Sequence, residues 1–491
     1  MDEQKREEEV SEQPVKPAGK FLRIKPFALI MLVFLTILLT AGLTIFALTF
    51  GEKKVVEVKV PVEREEFTRL YEAFDELKEN YYVDVDEEKV ISGAINGMFD
   101  ALDDPYTDYM NTDEANHFNE SLSSSFQGIG AEIQERNGNI VVVSPIKNSP
   151  AEKAGLMPQD IILTVDGESI QGMTASEAVL LIRGEKGTPV KLTIQRGEAE
   201  PMEMTIVRDD IPIETVYGEM GDDKIAHIQI TSFSEETYDE LLAIMNELDA
   251  QGMKGIVLDV RQNPGGFLTA AIDIASLFLE EGKPILQMQA RDGEPEIFYA
   301  EGGKKFKQPV TILIDEGSAS ASEILAAALL ESGDAEVIGV SSFGKGTVQT
   351  VSYLEDGSNL KFTTGKWLTP KGNWINEKGV TPTIKVEYPS YASLTYVNPE
   401  TELTSGMNDK MIESAEGMLE ALGYEPGEVD GVFDEETESA VEAFQKAENL
   451  EQTGVLVGDT TYALMDALRE KIEQDDPMLL KAKEVVTDTA E

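Results

Sequence analysis

The sequence predicts an α/β domain with a mostly parallel β-sheet, preceded by a small β-rich domain and a single membrane-spanning helix. Three observations lead to this prediction. From residue 225 onward, strand-like apolar runs alternate with helical stripes, which is typical of a parallel sheet with crossover helices. Residues 121–210 alternate between apolar and polar, as strands of a β-rich domain do. Residues 27–50 are almost wholly apolar.

Composition excludes several classes of function. The 491 residues suffice for three or four domains, and 41 Lys and Arg against 92 Asp and Glu give a formal charge of −51. Such an acidic chain lacks the basic face that nucleic-acid binding needs, and we expect no nucleic-acid partner. Its surface should instead be heavily solvated.

Cysteine and histidine content narrows the chemistry further. The chain has no cysteine, which excludes disulfides, thiol catalysis and thiolate metal sites. Its two histidines, His117 and His227, form no HExxH motif, so a zinc protease is not expected. His227 lies in a strand-like run and is interpreted as structural. No metal or organic cofactor is implied.

The apolar run from Phe27 to Phe50 predicts a transmembrane signal anchor. As a helix it would span about 36 Å, against roughly 30 Å of hydrocarbon. A buried core helix is the alternative, but this run has no polar face. Basic residues precede it, so residues 1–26 should be cytoplasmic and the rest of the chain extracytoplasmic.

Residues 62–120 predict a helical segment with two amphipathic helices. The first has Phe67, Leu70, Tyr71, Phe74 and Leu77 on one face, and the second extends from Val90 to Phe99. These helices would pack as a hairpin or serve a homodimer. Residues 102–107 read as a turn.

Residues 121–210 resemble a PDZ domain. Its ordered motifs are the runs 126–131, 149–156 and 160–167, followed by a predicted helix at 174–182. In that family a glycine loop, here Gly128, Ile129 and Gly130, binds the C-terminal carboxylate of a peptide that adds a strand to the sheet. Arg183 ends the helix and either relays peptide occupancy to the active site or is an ordinary surface arginine.

Residues 211–390 predict the α/β core. Strands are expected at 225–230, 255–260 and 310–314, and helices at 268–279 and 320–330, with a helical stripe from Tyr238 to Leu248. The run 263–266 and Ser320 both follow strands. Since sites in open α/β sheets form at the carboxyl ends of strands, we expect these segments to meet there.

Ser320 and Lys345 have the residue types of a nucleophile and a base. A serine at a strand-to-helix turn lies near the positive end of the helix dipole. Burial disfavours the charged form of a lysine, and the neutral amine can take the proton of the serine. Serine with lysine is a variant of the serine–histidine arrangement for acyl transfer. Ser318 and Ser322 are alternative nucleophiles; both are expected to cap the helix, but the residues alone favour Ser320 only weakly.

A nucleotide-binding loop is the competing interpretation of the same segment. Residues 339–345 satisfy GxxxxGK, which in a P-loop is followed by Ser or Thr and a helix. Here Gly346 follows, and residues 347–354 read as a strand. Nucleotide binding is therefore not expected.

The runs 258–266, 317–324 and 342–349 resemble the marker motifs of the carboxyl-terminal processing peptidases, and the resemblance extends over residues 60 to 390. It implies a crotonase-like α/β protease core, and dimers through terminal helices. It also implies that Ser320 is the nucleophile, Lys345 the general base and Gln349 the residue that orients the lysine. The oxyanion hole would consist of the backbone N–H of Ala321 with that of Gly265 or Gly266, and the choice between the glycines stays open.

The C-terminal part is predicted as a linker at 391–405, a domain at 406–470 and an acidic tail at 471–491. The domain resembles the small all-α peptidoglycan-binding domain of cell-wall hydrolases. The resemblance rests on Ala421–Tyr424, Val429–Asp434, Thr437, Phe444–Gln445 and Thr453–Gly454.

Together these features predict a membrane-anchored, extracytoplasmic serine endopeptidase at the cell wall. It would cleave proteins near exposed C-termini that the PDZ domain recognises, and its other partner would be peptidoglycan. The alternative is a catalytically silent PDZ scaffold tethered to peptidoglycan. Intact Ser320, Lys345 and Gln349 argue against the scaffold.

Overall fold

The computed structural model describes residues 65–136, 138–197 and 199–490. The predicted cytoplasmic tail and the predicted anchor at residues 27–50 lie outside the described residues. Within the described ranges, no helix is both long enough and apolar enough to cross a membrane. The described residues divide into two units between Glu87 and Glu88.

In the first unit a 3-10 turn, Glu65–Phe67, leads into helix α1, Thr68–Asn80. The predicted apolar stripe forms one face of this helix. None of its residues is buried among the described part of the chain, and Tyr71 is 57% exposed. An exposed ion pair joins Lys78 to Glu87 at 2.7 Å, and such surface pairs contribute little to stability.

Helix α2, Glu87–Asp100, crosses into the second unit and is followed by strand β1, Asp108–Met110, and helix α3, Thr112–Leu122. The predicted turn at 102–107 connects α2 to β1. Its residues become part of the candidate site described below.

The β-rich domain is a sheet in the order β3-β4-β5-β7-β8, with β6 on β5 and all pairs antiparallel. Its elements are β2 Ser125–Gly128, β3 Ala131–Arg136, β4 Asn139–Pro145, α4 Pro150–Ala154, β5 Ile161–Val165, β6 Glu168–Ser169, α5 Ala175–Ile182, β7 Pro189–Gln195, β8 Met202–Val207 and β9 Asp209–Pro212. Ile140, Ile162 and Leu192 are fully buried in its core. Strand β2 pairs with β9, which brings the two ends of the domain together.

The α/β core has a six-stranded sheet in the order β10-β11-β12-β15-β16-β19. Its elements are β10 Val216–Met220, β11 Ile225–Ile230, α6 Thr237–Ala250, β12 Gly255–Asp259, α7 Leu268–Phe278, β13 Pro284–Ala290, β14 Glu296–Tyr299, β15 Val310–Ile314, α8 Ala321–Ser332, β16 Glu336–Gly339, β17 Thr347–Tyr353, β18 Asn359–Leu368 and β19 Ile384–Lys385. Within the six-stranded sheet, all strand pairs are parallel except β10 with β11. The predicted mostly parallel sheet is confirmed.

A second, antiparallel sheet was not predicted. It has the order β1-β18-β13-β14, with β17 also on β18. Trp367 of β18 is 1% exposed and packs in the same apolar cluster as Ile312 of the parallel sheet. Its indole N–H donates to the carbonyl of Lys345 at 2.8 Å, which holds the segment before β17 against the core.

Three helices, α9 Lys410–Ala421, α10 Glu435–Ala447 and α11 Asp459–Gln474, build the C-terminal domain. They pack around Phe433 and Phe444. The predicted linker at 391–405 is not a free connector, because Val397 and Leu403 are fully buried in the same cluster. The domain therefore begins earlier than the sequence suggests.

The predicted acidic tail contains a packed helix, α12, Pro477–Ala490. Its Met478, Ala482 and Val486 are fully buried against Val257 and Leu313 of the parallel sheet. Because α6, α7 and α8 cover the opposite face, these strands are buried on both sides, as parallel strands usually are. The acidic composition concealed this apolar stripe at helical spacing.

Candidate active site

Two loops leave the carboxyl ends of the neighbouring strands β12 and β15 and lie against each other. The carboxylate of Asp315 accepts the N–H of Gln262 at 2.8 Å, and the hydroxyl of Ser318 donates to the carbonyl of Val260 at 2.8 Å. Asp315 and Ser318 are fully buried, so these bonds are shielded from water. The prediction that the two segments meet at this edge is confirmed.

Ser320 occupies the sharp turn between β15 and α8. Its φ is +54°, a left-handed value that costs a non-glycine residue roughly 1–3 kcal/mol. Oε2 of Glu323 accepts the backbone N–H of Ser320 at 2.8 Å and helps to hold the turn. Since α8 begins at Ala321, Ser320 lies at the positive end of the helix dipole.

The prediction that Ser318 and Ser322 cap this helix is wrong. The helix begins one residue later than predicted, so Ser320 itself takes the N-cap position. Ser318 donates to the carbonyl of Val260 in the neighbouring loop, and Ser322 donates from the first turn of the helix to the carbonyl of Asn263 at 2.9 Å. Both hydroxyls are fully buried, which removes them from contact with a substrate.

Gly265 lies against the serine turn and Gly266 against the loop after β11, both so closely that side chains would not fit. A Cβ on Gly265 would lie 2.8 Å from the carbonyl oxygen of Ala319, and one on Gly266 would lie 2.0 Å from that of Phe233. The N–H of Gly265 donates to Oδ1 of Asn263 at 2.8 Å. Among the described residues, no acceptor is found for the N–H of Gly266 or of Ala321.

Lys345 is half-buried and has a perturbed pKa. Burial disfavours the ammonium and lowers the pKa of Lys345, and the nearby positive charge of Lys361 lowers it further. The carboxylates of Glu323 and Asp104 act in the opposite direction on the pKa of Lys345. The amine nitrogen, Nζ, lies 4.9 Å from the centroid of the Tyr106 ring.

The carboxylate of Glu323 connects the segment of Ser320 to the segment of Lys345. It is fully buried and accepts four hydrogen bonds. Oε1 accepts from the hydroxyl of Ser342 at 2.6 Å and from the N–H of Gly344 at 2.7 Å. Oε2 accepts from the N–H groups of Ser320 and Lys345.

Gln349 lies on β17 next to an irregularity in its pairing with β18. Its Nε2 donates to the hydroxyls of Thr347 at 2.9 Å and Thr363 at 3.1 Å. Among the hydrogen bonds of the described residues, none joins Lys345 Nζ to Ser320 or to Gln349. The three side chains therefore share a site without contacting one another through hydrogen bonds.

A cavity of about 590 Å³ is lined by all six residues predicted as catalytic or oxyanion-hole residues. They are Ser320, Lys345, Gln349, Gly265, Gly266 and Ala321. Its walls also include Tyr106, Phe118, Lys361 and Trp367, which are apolar or aromatic apart from one cation. A peptide segment could enter this space and reach the serine.

The sequence reasoning missed three residues of this site. Glu323 follows Ser320 by three positions, the spacing of a helix capping box, and that signal could have revealed it. Tyr106 and Lys361 carry no local signal. They reach the cavity only because β1 pairs with β18 over a long sequence separation.

The predicted peptide-binding loop forms the rim of a smaller cavity between β3 and α5. This cavity is lined by Gly128, Ile129 and Gly130, with Arg183 on the opposite side. Gly130 has a φ of +75°, and a Cβ there would lie 2.4 Å from Cβ of Ser149. The guanidinium of Arg183 lies 4.8 Å from the ring centroid of Phe126.

His227 belongs to a separate polar cluster. Its Nε2 lies 3.0 Å from Oδ2 of Asp259, which also pairs with Arg261 at 2.6 Å. Burial by itself raises the pKa of Asp259, but the hydrogen bonds from His227 and Arg261 lower that pKa to about 2. His227 does not line the Ser320 cavity, which agrees with its interpretation as structural.

The nucleotide-binding alternative fails on geometry. A P-loop lysine is followed by a helix whose N-terminus faces the phosphates. Here Lys345 is followed by strand β17.

Comparison with known proteins places every domain in a family. The model of peptidase family S41 matches residues 224–386, and that of the PDZ domain matches residues 127–205. A peptidoglycan binding domain matches residues 408–465, and the N-terminal domain of the activating protease CtpB matches residues 47–114.

Two proteins of Bacillus subtilis (strain 168) are similar over most of the chain. Carboxy-terminal processing protease CtpA is 44% identical over 458 residues, which cover 93% of this chain and 98% of the relative. Carboxy-terminal processing protease CtpB is 42% identical over 410 residues, which cover 83% and 85%. The chain therefore belongs to the carboxy-terminal processing proteases of peptidase family S41, and it is a serine-type peptidase with a PDZ domain and a peptidoglycan-binding domain.

Proposed function

We propose that the chain is an endopeptidase with Ser320 as nucleophile and Lys345 as general base. The observation that supports this most is the shared cavity, where the serine turn, the lysine and the glycine loop meet at the carboxyl edge of the parallel sheet. The lowered pKa of Lys345 is consistent with a base that works as the neutral amine.

In the first chemical step, the neutral amine of Lys345 takes the hydroxyl proton of Ser320 while Oγ attacks the substrate carbonyl carbon. The resulting ammonium then gives that proton to the leaving amine as the peptide bond breaks. Water hydrolyses the acyl-enzyme ester by the same route, with Lys345 again as base.

We assign the oxyanion hole to the N–H groups of Ala321 and Gly266. The N–H of Gly265 is already donated to Asn263, whereas the other two have no acceptor among the described residues. A donor of this kind contributes about 3 kcal/mol to stabilising the developing oxyanion.

Gln349 would orient the lysine through its amide oxygen. Its Nε2 is committed to the hydroxyls of Thr347 and Thr363, which leaves Oε1 as an acceptor for the amine. A neutral amide orients the lysine without adding the negative charge that would keep it protonated. For catalysis the lysine side chain must move from the Tyr106 ring to the serine.

The PDZ domain would capture substrate C-termini. The loop at Gly128, Ile129 and Gly130 offers backbone N–H groups to a terminal carboxylate, and the peptide would add a strand to β3. Arg183 lines the same cavity and contacts Phe126, so it is placed to respond to an occupant.

The two ends of the chain would determine where the enzyme is located. The apolar run at residues 27–50 would anchor the protein in the cell membrane, with the peptidase outside the cytoplasm. The C-terminal domain would bind peptidoglycan and keep the enzyme at the wall. Retention of the full chain on purified peptidoglycan, reversed by soluble peptidoglycan fragments, tests this; a chain that stays in the supernatant contradicts it.

The chemical proposal is tested by cleavage of an unfolded protein with a free C-terminus. Ser320→Ala and Lys345→Met should each lower turnover by up to about a millionfold, and Ser341→Ala, which removes a nearby exposed hydroxyl, should not. Undiminished cleavage by the first two variants would exclude the dyad. Peptide binding without any cleavage by the wild type would favour the scaffold.

A further inference from the structure

The loop before β1 forms a wall of the active site, and hydrogen bonds within the loop and from strand β18 hold it in place. The carboxylate of Asp104 accepts the N–H of Tyr106 at 3.0 Å and the hydroxyl of Thr107 at 2.7 Å. The hydroxyl of Thr107 in turn accepts the N–H of Thr363 at 3.0 Å. The adjoining residue Asp108 lies opposite Lys361 in the antiparallel pairing of β1 with β18. Tyr106 is therefore fixed on the second sheet.

The fixed ring of Tyr106 receives the side chain of Lys345. The distance of 4.9 Å from Nζ to the ring centroid is within the range of a cation–π contact. Both side chains are half-buried and line the same cavity, so water screens the contact weakly. The amine that the proposed reaction needs at Ser320 is instead bound to an aromatic face.

This contact depends on the protonation of the lysine. An aromatic face attracts an ammonium through its quadrupole and has no comparable attraction for a neutral amine. Near Lys345, the cation of Lys361 opposes its charge, while Glu323 and Asp104 favour it. Burial, followed by the charges of Glu323, Asp104 and Glu377, raises the pKa of the Tyr106 phenol, which therefore stays neutral.

We propose that Tyr106 is a positioning residue that holds the protonated side chain of Lys345 on its ring between turnovers and releases it to Ser320 on deprotonation. The inference rests on the proposed role of Lys345 as the base. A ring that binds only the ammonium opposes the deprotonation of the lysine. Removing the ring should make the base available at lower pH.

The test compares Tyr106→Leu with Tyr106→Phe in the full chain. The leucine variant loses the ring, and the acid limb of its kcat/KM profile should move to lower pH by about 0.4 to 1.5 units. The phenylalanine variant keeps the ring and should retain the wild-type limb. If Tyr106 had only a structural role, the leucine variant would show a lower maximal kcat/KM with the midpoint of the acid limb unchanged. That result would overturn the proposal.

A second readout does not depend on turnover. The lysine side chains of the Ser320→Ala protein are labelled with ¹³C at Cε, and the Lys345 resonance is assigned by its loss in Lys345→Met. Its titration midpoint should fall when Tyr106 is replaced by Leu and stay when it is replaced by Phe. Equal midpoints in all three proteins would exclude the ring contact. Full activity of Lys345→Met would instead reject the dyad itself, so the two failures are distinguishable.

Discussion

Ser320 and Lys345 are joined through one buried oxygen: Oε2 of Glu323 accepts the backbone N–H of the first at 2.8 Å and of the second at 2.9 Å. The turn that carries Ser320 and the turn that carries Lys345 are therefore fixed to the same carboxylate. Their relative position does not depend on a hydrogen bond between their side chains.

The first prediction concerns this carboxylate. Glu323→Gln replaces one of the two carboxylate oxygens by an NH₂ group. This group cannot accept the hydrogen bonds that the N–H and O–H groups around it donate. Hydrogen bonds to a charged group contribute roughly 1.5–3 kcal/mol each, so the variant should lose about 3 kcal/mol of stability and most of its kcat. Thermal unfolding and turnover measure both. Glu316→Gln, an exposed position in the preceding loop, is the control; equal effects of the two substitutions would contradict the prediction.

The second prediction is a pH dependence. In the proposed mechanism the neutral form of Lys345 is the base, so activity should appear as pH rises through the lowered pKa of this residue. Lys361→Met removes a charge that lowers this pKa, so the acid limb of kcat/KM should move to higher pH by about 0.5–1 unit.

Lys366→Met is the matched control for that experiment. Lys366 lies on the same strand as Lys361, with its Nζ 5.2 Å from the Trp374 ring, and it does not line the cavity. Its substitution should leave the limb in place. A limb that moves to lower pH in Lys361→Met would show that the sign of the electrostatic argument is wrong.

The third prediction concerns α12. Met478 is fully buried against the parallel sheet, whereas Leu480 of the same helix is 62% exposed. Met478→Ala should reduce the free energy of unfolding by about 2–4 kcal/mol, and Leu480→Ala by less than about 0.5 kcal/mol. Urea unfolding followed by tryptophan fluorescence can measure this, since Trp367 lies in the core. Similar midpoints for both variants would mean that the helix does not cover the sheet.

The fourth prediction concerns the peptide-binding loop. Gly130→Ala places a Cβ 2.4 Å from Ser149 and should displace the loop, weakening the binding of a C-terminal peptide tenfold or more. Gly172→Ala is the control, since its φ is also positive, +79°, and nothing lies within 4 Å of its Cβ. Fluorescence anisotropy with a free-acid and an amidated peptide reports the affinity. Equal binding by wild type and Gly130→Ala would remove the loop from recognition.

Periodicity and local motifs predicted the parts of the fold that depend on nearby residues. The strand Val310–Ile314 has its predicted limits, and α7 ends one residue before its predicted end. Both elements are apolar runs with clear ends. The position of the glycine pair and of Ser320 after neighbouring strands predicted that they meet, whereas their roles came from the resemblance to the carboxyl-terminal processing peptidases.

The parts that were not predicted depend on contacts between distant segments. Tyr106 comes near Lys345 because β1 pairs with β18, and Lys361 because β18 pairs with β17. Neither pairing is visible in the local sequence. The packing of Met478 against Val257 is likewise set by the return of the chain to the core. Nothing in the local sequence indicates that the carboxylate of Glu323 is fully buried.

The proposed dyad is tested by the mass of an acyl-enzyme that forms with an ester substrate and is trapped in acid. The wild type should carry one acyl group on the peptide that contains Ser320, with no such adduct in Ser320→Ala and a strongly reduced rate of formation in Lys345→Ala. An adduct on another residue, or unchanged acylation in Lys345→Ala, would contradict the proposed dyad.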